Sequence, residues 1–483
     1  MGTDAAARFE NLALRRGLAG HAAAWAIRNG SAEHAVELLE QGRSVLWAQQ
    51  LHMQTDVDKL AGLDPRLKEE LEETRRALDS EARRGPGERG MPHDPEQQAA
   101  WHRRNAERWD DLVAQVRRID GLGNFLAAVP FGQLQDGAAD GPVVVVNTSS
   151  YGCDALVVES TGVRVIPLPA LDYDEVTSRA RGMLAALRDD QGRPDDTLAG
   201  ILAWLWETVA RPVLDALGLC EPLGPAGEGT ARRRRLWWCP TGPLALLPLH
   251  AAGSYEDEGA AVPERVIASY TSTLGALIRA RASRTETAPS ALLVGVPYAP
   301  GQDRLPNVPD ELDRVRERLR SATTLDGESA TRDAVVAAMP EHEWVHLACH
   351  GRQDAADPSA SSVLLSDGPL SILDITGRLL PSCDLAFLSA CETFTGTQRL
   401  SDEAIHLASA FQVAGYRHVI ATLWSIRDNV APQVADRVYQ TLTRGGYPDS
   451  SLAAEAIHVA VAELRARIPR HPQVWAPYVH IGP

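Results

Sequence analysis

Two stretches decide the fold: Trp344-Val345-His346-Leu347-Ala348-Cys349-His350-Gly351 and Leu385-Ala386-Phe387-Leu388-Ser389-Ala390-Cys391-Glu392-Thr393. Each is a short, mostly apolar run that ends in polar, reactive side chains. That is the pattern of a strand buried on both faces, emerging at its carboxyl end. Working outward, similar runs occur at 291–296, 362–365 and 418–423. Helical periodicity fills the intervals at about 309–321, 331–338 and 402–414, and continues at 431–444 and 450–467. Strands alternating with helices predict a largely parallel sheet covered by helices. Function in such sheets gathers where strands end. If these two strands are neighbours, His350 and Cys391 meet across the crevice.

Upstream the pattern differs. Residues 142–147, 155–159, 163–168 and 236–239 are short strand-like runs, 173–188 and 196–217 read as helices, and 268–282 begins as strand and ends as helix. Before about residue 120 the apolar spacing is helical, with Asn29-Gly30-Ser31 breaking the first helical pair. The expected organisation is an all-α recognition or regulatory region at 1–125, a first α/β part at 140–285, and a catalytic α/β domain at 286–483.

Composition narrows the function. A formal net charge of −16 argues against nucleic acid as a partner, because phosphate binding needs a concentrated basic surface. No run reaches the roughly 18–20 apolar residues that span a bilayer, and Met1–Ala6 lacks an apolar signal core, so a cytoplasmic protein is expected. The six cysteines are scattered without a C-x-x-C pair and read as reduced thiols. No metal site is expected: the H-x-x-x-H pairs His342/His346, which encloses Glu343, and His346/His350 lie on or against a strand rather than on a helix, so neither pair presents its two imidazoles one helical turn apart.

Thiol chemistry fits what remains. A free thiol has a pKa of roughly 8.5, so little is thiolate at neutral pH. An adjacent imidazole can take the proton during attack and return it to the leaving amine. Gly351, directly after the histidine, admits close backbone approach, and its N–H with that of Cys391 is the expected oxyanion hole. Neither Cys349 nor Cys383 is expected to react. His346 shares a face with His350 and is a candidate orienting group, with a satisfied core histidine as the alternative. Glu392, Asp354 and Asp357 are candidates for a substrate pocket, the two aspartates favouring a basic residue.

These segments also carry a family resemblance. His346-x-x-x-His350-Gly351 and Ser389-Ala390-Cys391-Glu392-Thr393 resemble the hallmark segments of CHAT domains, caspase-like peptidases that include relatives of separase. The 410–415 segment, then His418-Val419-Ile420-Ala421-Thr422-Leu423-Trp424-Ser425-Ile426-Arg427-Asp428, is similar to the family's helix and strand after the cysteine. Residues 238–250 resemble an upstream segment, and the first helices resemble the TPR-like region that often precedes such domains. The resemblance covers about residues 142–483. It implies a caspase-like α/β sandwich, a His350–Cys391 dyad, no cofactor, and a regulated protease in bacterial defence or signalling. It also implies a dedicated protein substrate and an activating or regulatory protein received by the first helices. The spacing, 391 − 350 = 41 residues, is near the roughly 50 of caspases, but the sequence around Cys391 differs from theirs, so aspartate specificity does not carry over. Residues 140–285 are then a candidate degenerate caspase-like half. Two other readings remain: a catalytically silent scaffold acting through its helices, and a small-molecule hydrolase or acyltransferase with a closed pocket.

Overall fold

Four consecutive valines open the sheet. β-Branched side chains stiffen an extended chain, and Val143–Asn147 is buried throughout, as a strand covered on both faces must be. The computed structural model describes residues 17–42, 60, 62–82, 95–120, 122–123, 125, 128–188, 194–222, 234–255, 259–282, 289–354, 361–376, 382–395 and 407–483. Within these, its strands are β1 (Val143–Asn147), β2 (Asp154–Glu159), β3 (Gly162–Pro167), β4 (Arg235–Pro240), β5 (Ile267–Tyr270), β6 (Ala291–Gly295), β7 (Ala322–Asp326), β8 (Trp344–Asp354), β9 (Ser362–Leu364), β10 (Pro369–Ser371), β11 (Leu385–Thr395), β12 (His418–Thr422) and β13 (Tyr478–Ile481). All 13 join one sheet in the order β10-β9-β8-β11-β12-β13-β5-β4-β1-β2-β3, with β6 beside the first half of β8 and β7 outside it.

The sheet holds two parallel blocks running in opposite directions. β6, β7, β8, β11 and β12 are mutually parallel; β12 pairs antiparallel with β13, which is parallel to β5, β4 and β1. The carboxyl ends of β1 and β4 therefore lie on the rim opposite those of β8 and β11. The mostly parallel, helix-covered sheet is the one expected from the alternating pattern. Three strands lay outside that pattern. β7 is Ala-Thr-Thr-Leu-Asp and only partly buried, so it has no apolar run, while β10 and β13 are short.

The chain forms two compact units, one of residues 1–16 and 44–130, the other of residues 17–43 and 131–483. The first contains helices Pro65–Ala82 and Pro95–Val116, closed over a core that includes Leu71, Trp109, Leu112 and Phe125. In the second, helices Leu18–Arg28 and Ala32–Gly42 pack with the sheet, the turn between them made by Gly30 at φ 75°. Asn147 Nδ2, at the carboxyl end of β1, donates to Gly20 O at 3.0 Å. Glu37 accepts the Phe131 N–H at 2.8 Å. Glu40 accepts the N–H groups of Leu274 and Gly275, both at 2.9 Å, satisfying donors that open helix Leu274–Ala282. The sequence-based division set all the early helices apart from the α/β parts; these carboxylate bonds and buried contacts tie the first pair to the sheet.

A buried polar chain crosses the junction of the two blocks. Arg235 Nη2 donates to Ser269 Oγ at 2.8 Å, Ser269 Oγ lies 2.8 Å from His480 Nδ1, and His480 Nε2 lies 3.1 Å from His418 Nδ1. Burial, with the charges of Arg417 and Arg235, holds His418 down at about 3; burial also pushes His480 well below the usual histidine range. Both imidazoles are thus neutral in the folded chain, while the unfolded chain protonates them near pH 6.5. Stability is full above that value and falls as pH drops through it. His418 alone should remove about 2 kcal/mol by about pH 5. Urea midpoints at neutral pH and near pH 5 check this: an unchanged midpoint contradicts it, and His418→Gln should flatten the dependence.

Candidate active site

The site begins where β8 and β11 lie side by side. Their parallel register sets Phe387 opposite His346, Ser389 opposite Ala348, Cys391 opposite His350 and Glu392 opposite Gly351. The two segments singled out in the sequence are therefore adjacent strands, with His350 and Cys391 as direct backbone partners. Both strands run farther than their apolar stretches, to the pair Thr395 and Asp354. Ladder bonding uses the backbone, so polar side chains need not end it. Gly351 is buried between β11 and β9, with Val363 its partner on the β9 side. The side chains of Asp354, Cys391 and Glu392, and all of Asp357, lie outside the described residues.

His350 has a defined tautomer. The residue is 8% exposed, and Nε2 stands 2.8 Å from the carbonyl oxygen of Asp303. A carbonyl only accepts, so Nε2 carries a proton, and the tautomer this contact selects has its lone pair on Nδ1. One nitrogen is thereby anchored and the other left basic, as a general base needs. Sequence reasoning missed Asp303 because the contact uses its backbone, which residue identity does not reveal.

His346 lies beneath, fully buried. Nε2 donates to Glu311 Oε1 at 3.1 Å, and the Tyr439 hydroxyl lies 3.4 Å from Nδ1. Burial first, and the Glu311 charge second, raise the Tyr439 phenol far above its ordinary range, so it stays protonated and able to donate. The Phe387 ring packs at 4.8 Å from the imidazole. His346 is thus the satisfied core histidine of the two readings: it binds helix Val308–Arg318 to β8 rather than touching His350. Glu311 and Tyr439 had no sequence signal, since each looks like one polar residue on an amphipathic helix.

Helix Val308–Arg318 matters because the chain leading into it, 296–307, carries Asp303. It is seated over β6 by Gly295, where an added Cβ would lie 2.4 Å from Leu312 Cδ1 and 3.0 Å from Val308 Cγ1. Leu312 is 3% exposed and packed, so it has little room to yield. Gly295→Ala should cost about 1–3 kcal/mol, read as a lowered urea midpoint. An unchanged midpoint would mean that the helix is not held by this contact.

Among the described residues, no group of three or more His, Cys, Asp or Glu side chains could hold a metal ion. Nor is any helix there long and apolar enough to cross a membrane. Burial raises the thiol of Cys383 to about 12, keeping it protonated, and Cys349 is fully buried.

Comparison with known proteins supports this picture at the level of fold. No curated protein matches the chain. Separase from Saccharomyces cerevisiae, solved in complex with securin, matches with 11% identity and a TM-score of 0.50, over 77% of this chain and 32% of the separase chain. The chain thus spans about a third of that protein's length. A second separase–securin structure matches with 10% identity and a TM-score of 0.49, over 94% of this chain and 38% of that one. The Arg-specific cysteine proteinase gingipain R matches with 12% identity and a TM-score of 0.37, over 57% and 68%. The sheet and its helices have a caspase-like α/β fold. The family model described as CHAT domain matches residues 200–483, more than half of the sequence and all of β8 and β11. The chain belongs to the CHAT-domain family.

Proposed function

We propose that this protein is a cysteine endopeptidase with a His350–Cys391 dyad. The register that sets Cys391 opposite His350 carries the reading. Strand alternation supports it: Cys391 is four residues after Phe387, and His350 four after His346, the pair whose rings pack together. In the proposed reaction, His350 Nδ1 takes the thiol proton as Cys391 Sγ attacks the scissile carbonyl carbon. The tetrahedral oxyanion is held by the N–H groups of Gly351 and Cys391. Collapse breaks the C–N bond, His350 returns the proton to the leaving amine, and a thioester remains on Sγ. Water, deprotonated by His350, then hydrolyses the thioester. Because the β8–β11 ladder runs past the dyad, a substrate carbonyl reaching those amides has to part the strands beyond it.

The substrate in this reading is a protein, acted on in the cytoplasm, with Glu392, Asp354 and Asp357 lining the pocket for the residue before the cut. Separase is solved with a protein partner, securin. By analogy, the early helices are proposed to receive an activating or regulatory protein, in a defence or signalling role. The first helical pair is bonded to Asn147 at the carboxyl end of β1, so a partner bound on that pair would act through the sheet rather than by covering the proposed site. No cofactor takes part. New protein N-termini should be mapped in cells expressing wild type and Cys391→Ala. A small set made only by wild type supports the reading, and identical sets would overturn it in favour of a scaffold.

A further inference from the structure

The position of His350 depends on where the Asp303 carbonyl sits, and that carbonyl belongs to a loop rather than to the sheet. Bonds within the loop fix its shape: Leu305 N donates to Pro297 O at 2.9 Å, and Val308 N to Leu305 O at 3.3 Å. Its start is tied to β8 by Val296 N, which donates to Ala348 O at 2.9 Å, and a different contact holds its far end. Asp428, on the chain leaving β12, accepts the backbone N–H of Asn307 at 3.0 Å through Oδ2, and the same oxygen accepts the Asn307 side-chain amide. Asn307 immediately precedes helix Val308–Arg318 and stands four residues after Asp303. β12 is the neighbour of β11, so the bond reaches from the strand beside the cysteine strand to the loop that holds the histidine.

We propose that Asp428 is a positioning residue for the dyad. It clamps Asn307, the clamp sets the Asp303 carbonyl, and the carbonyl keeps the proton on His350 Nε2 with Nδ1 free to accept. The inference rests on the dyad reading above. Removing the carboxylate takes the acceptor from two N–H donors and releases the loop, so the ring loses its fixed tautomer and direction. Misplacement of about 1 Å at a reacting group can cost on the order of a hundredfold in rate.

The test uses the full chain and needs no substrate. Alkylation of Cys391 by iodoacetamide is followed by peptide mass spectrometry between about pH 5 and pH 9, bracketing the free-thiol range. Exposed Cys220 in the same sample is the internal reference. Asp428→Ala should slow Cys391 by about tenfold or more near neutral pH and move its profile toward that of a free thiol, leaving Cys220 unchanged. Asp428→Asn keeps an acceptor oxygen and should stay within about twofold of wild type. If Asp428→Ala does not fold, Asn307→Asp, which sets two carboxylates against each other, should slow Cys391 alike. Combining it with Asp428→Asn, which exchanges donor and acceptor, should restore the rate. Wild-type reactivity in Asp428→Ala while His350→Ala is slow overturns the positioning role alone. So does Asp428→Asn as slow as Asp428→Ala. His350→Ala as fast as wild type overturns the dyad beneath it.

Discussion

Cys391→Ala is expected to abolish peptide cleavage, and His350→Ala to lower kcat/KM by about 10²–10⁴. The two effects differ because the two groups do different work. Without Sγ there is no atom to carry the acyl group, so the covalent route is lost outright. Without the imidazole the thiol still exists, but near neutral pH only a few per cent is thiolate and no positioned acid protonates the leaving amine. The loss in the histidine variant corresponds to about 3–5.5 kcal/mol of transition-state stabilisation. The double variant should be no worse than Cys391→Ala, since residues that act as a unit are not additive. Steady-state kinetics on a substrate found by N-terminus mapping would show this. Retained turnover in Cys391→Ala would remove Cys391 from the chemistry.

The second large effect concerns stability. His346→Leu should destabilise the sheet by about 3–5 kcal/mol, because it leaves the Glu311 carboxylate buried without its donor. Glu311 is 2% exposed and His346 fully buried, so water cannot replace the missing partner. The combined change of His346→Leu and Glu311→Leu should recover most of the loss, since removing both polar groups removes the desolvation cost with them. Urea unfolding of the four proteins gives the coupling energy directly. Additive single effects would mean that the two residues do not depend on each other. The same experiment tests the site: Glu311 stands on the helix that follows the Asp303 loop, so the single variants should also slow His350-dependent chemistry, whereas the double variant should do so less.

How much of this was visible in the sequence follows from what kind of group each feature uses. The apolar runs of β6, β8, β11 and β12 showed because buried parallel strands need apolar side chains on both faces, and His350 and Cys391 showed because they interrupt such runs. β7 was hidden, since Thr323 and Thr324 on an edge strand need no apolar pattern. The opposed direction of the two blocks was hidden too, because it rests on the pairing of β12 with β13, a short terminal strand. Asp303 works through its carbonyl, and Asp428 and Glu311 are single carboxylates among 64 acidic residues, so spacing could not distinguish them. Spacing alone leaves His346 as either an orienting group or a core residue, because its partner is 35 residues away, on a helix.

In the proposed function Cys391 and His350 work as one reactive pair. A peptide acyloxymethyl ketone, added to the full chain and located by mass spectrometry, tests it most directly. A single covalent adduct is expected on Cys391, and it should disappear in His350→Ala. An adduct on exposed Cys220 instead, or equal labelling of Cys391 with and without the histidine, would contradict it.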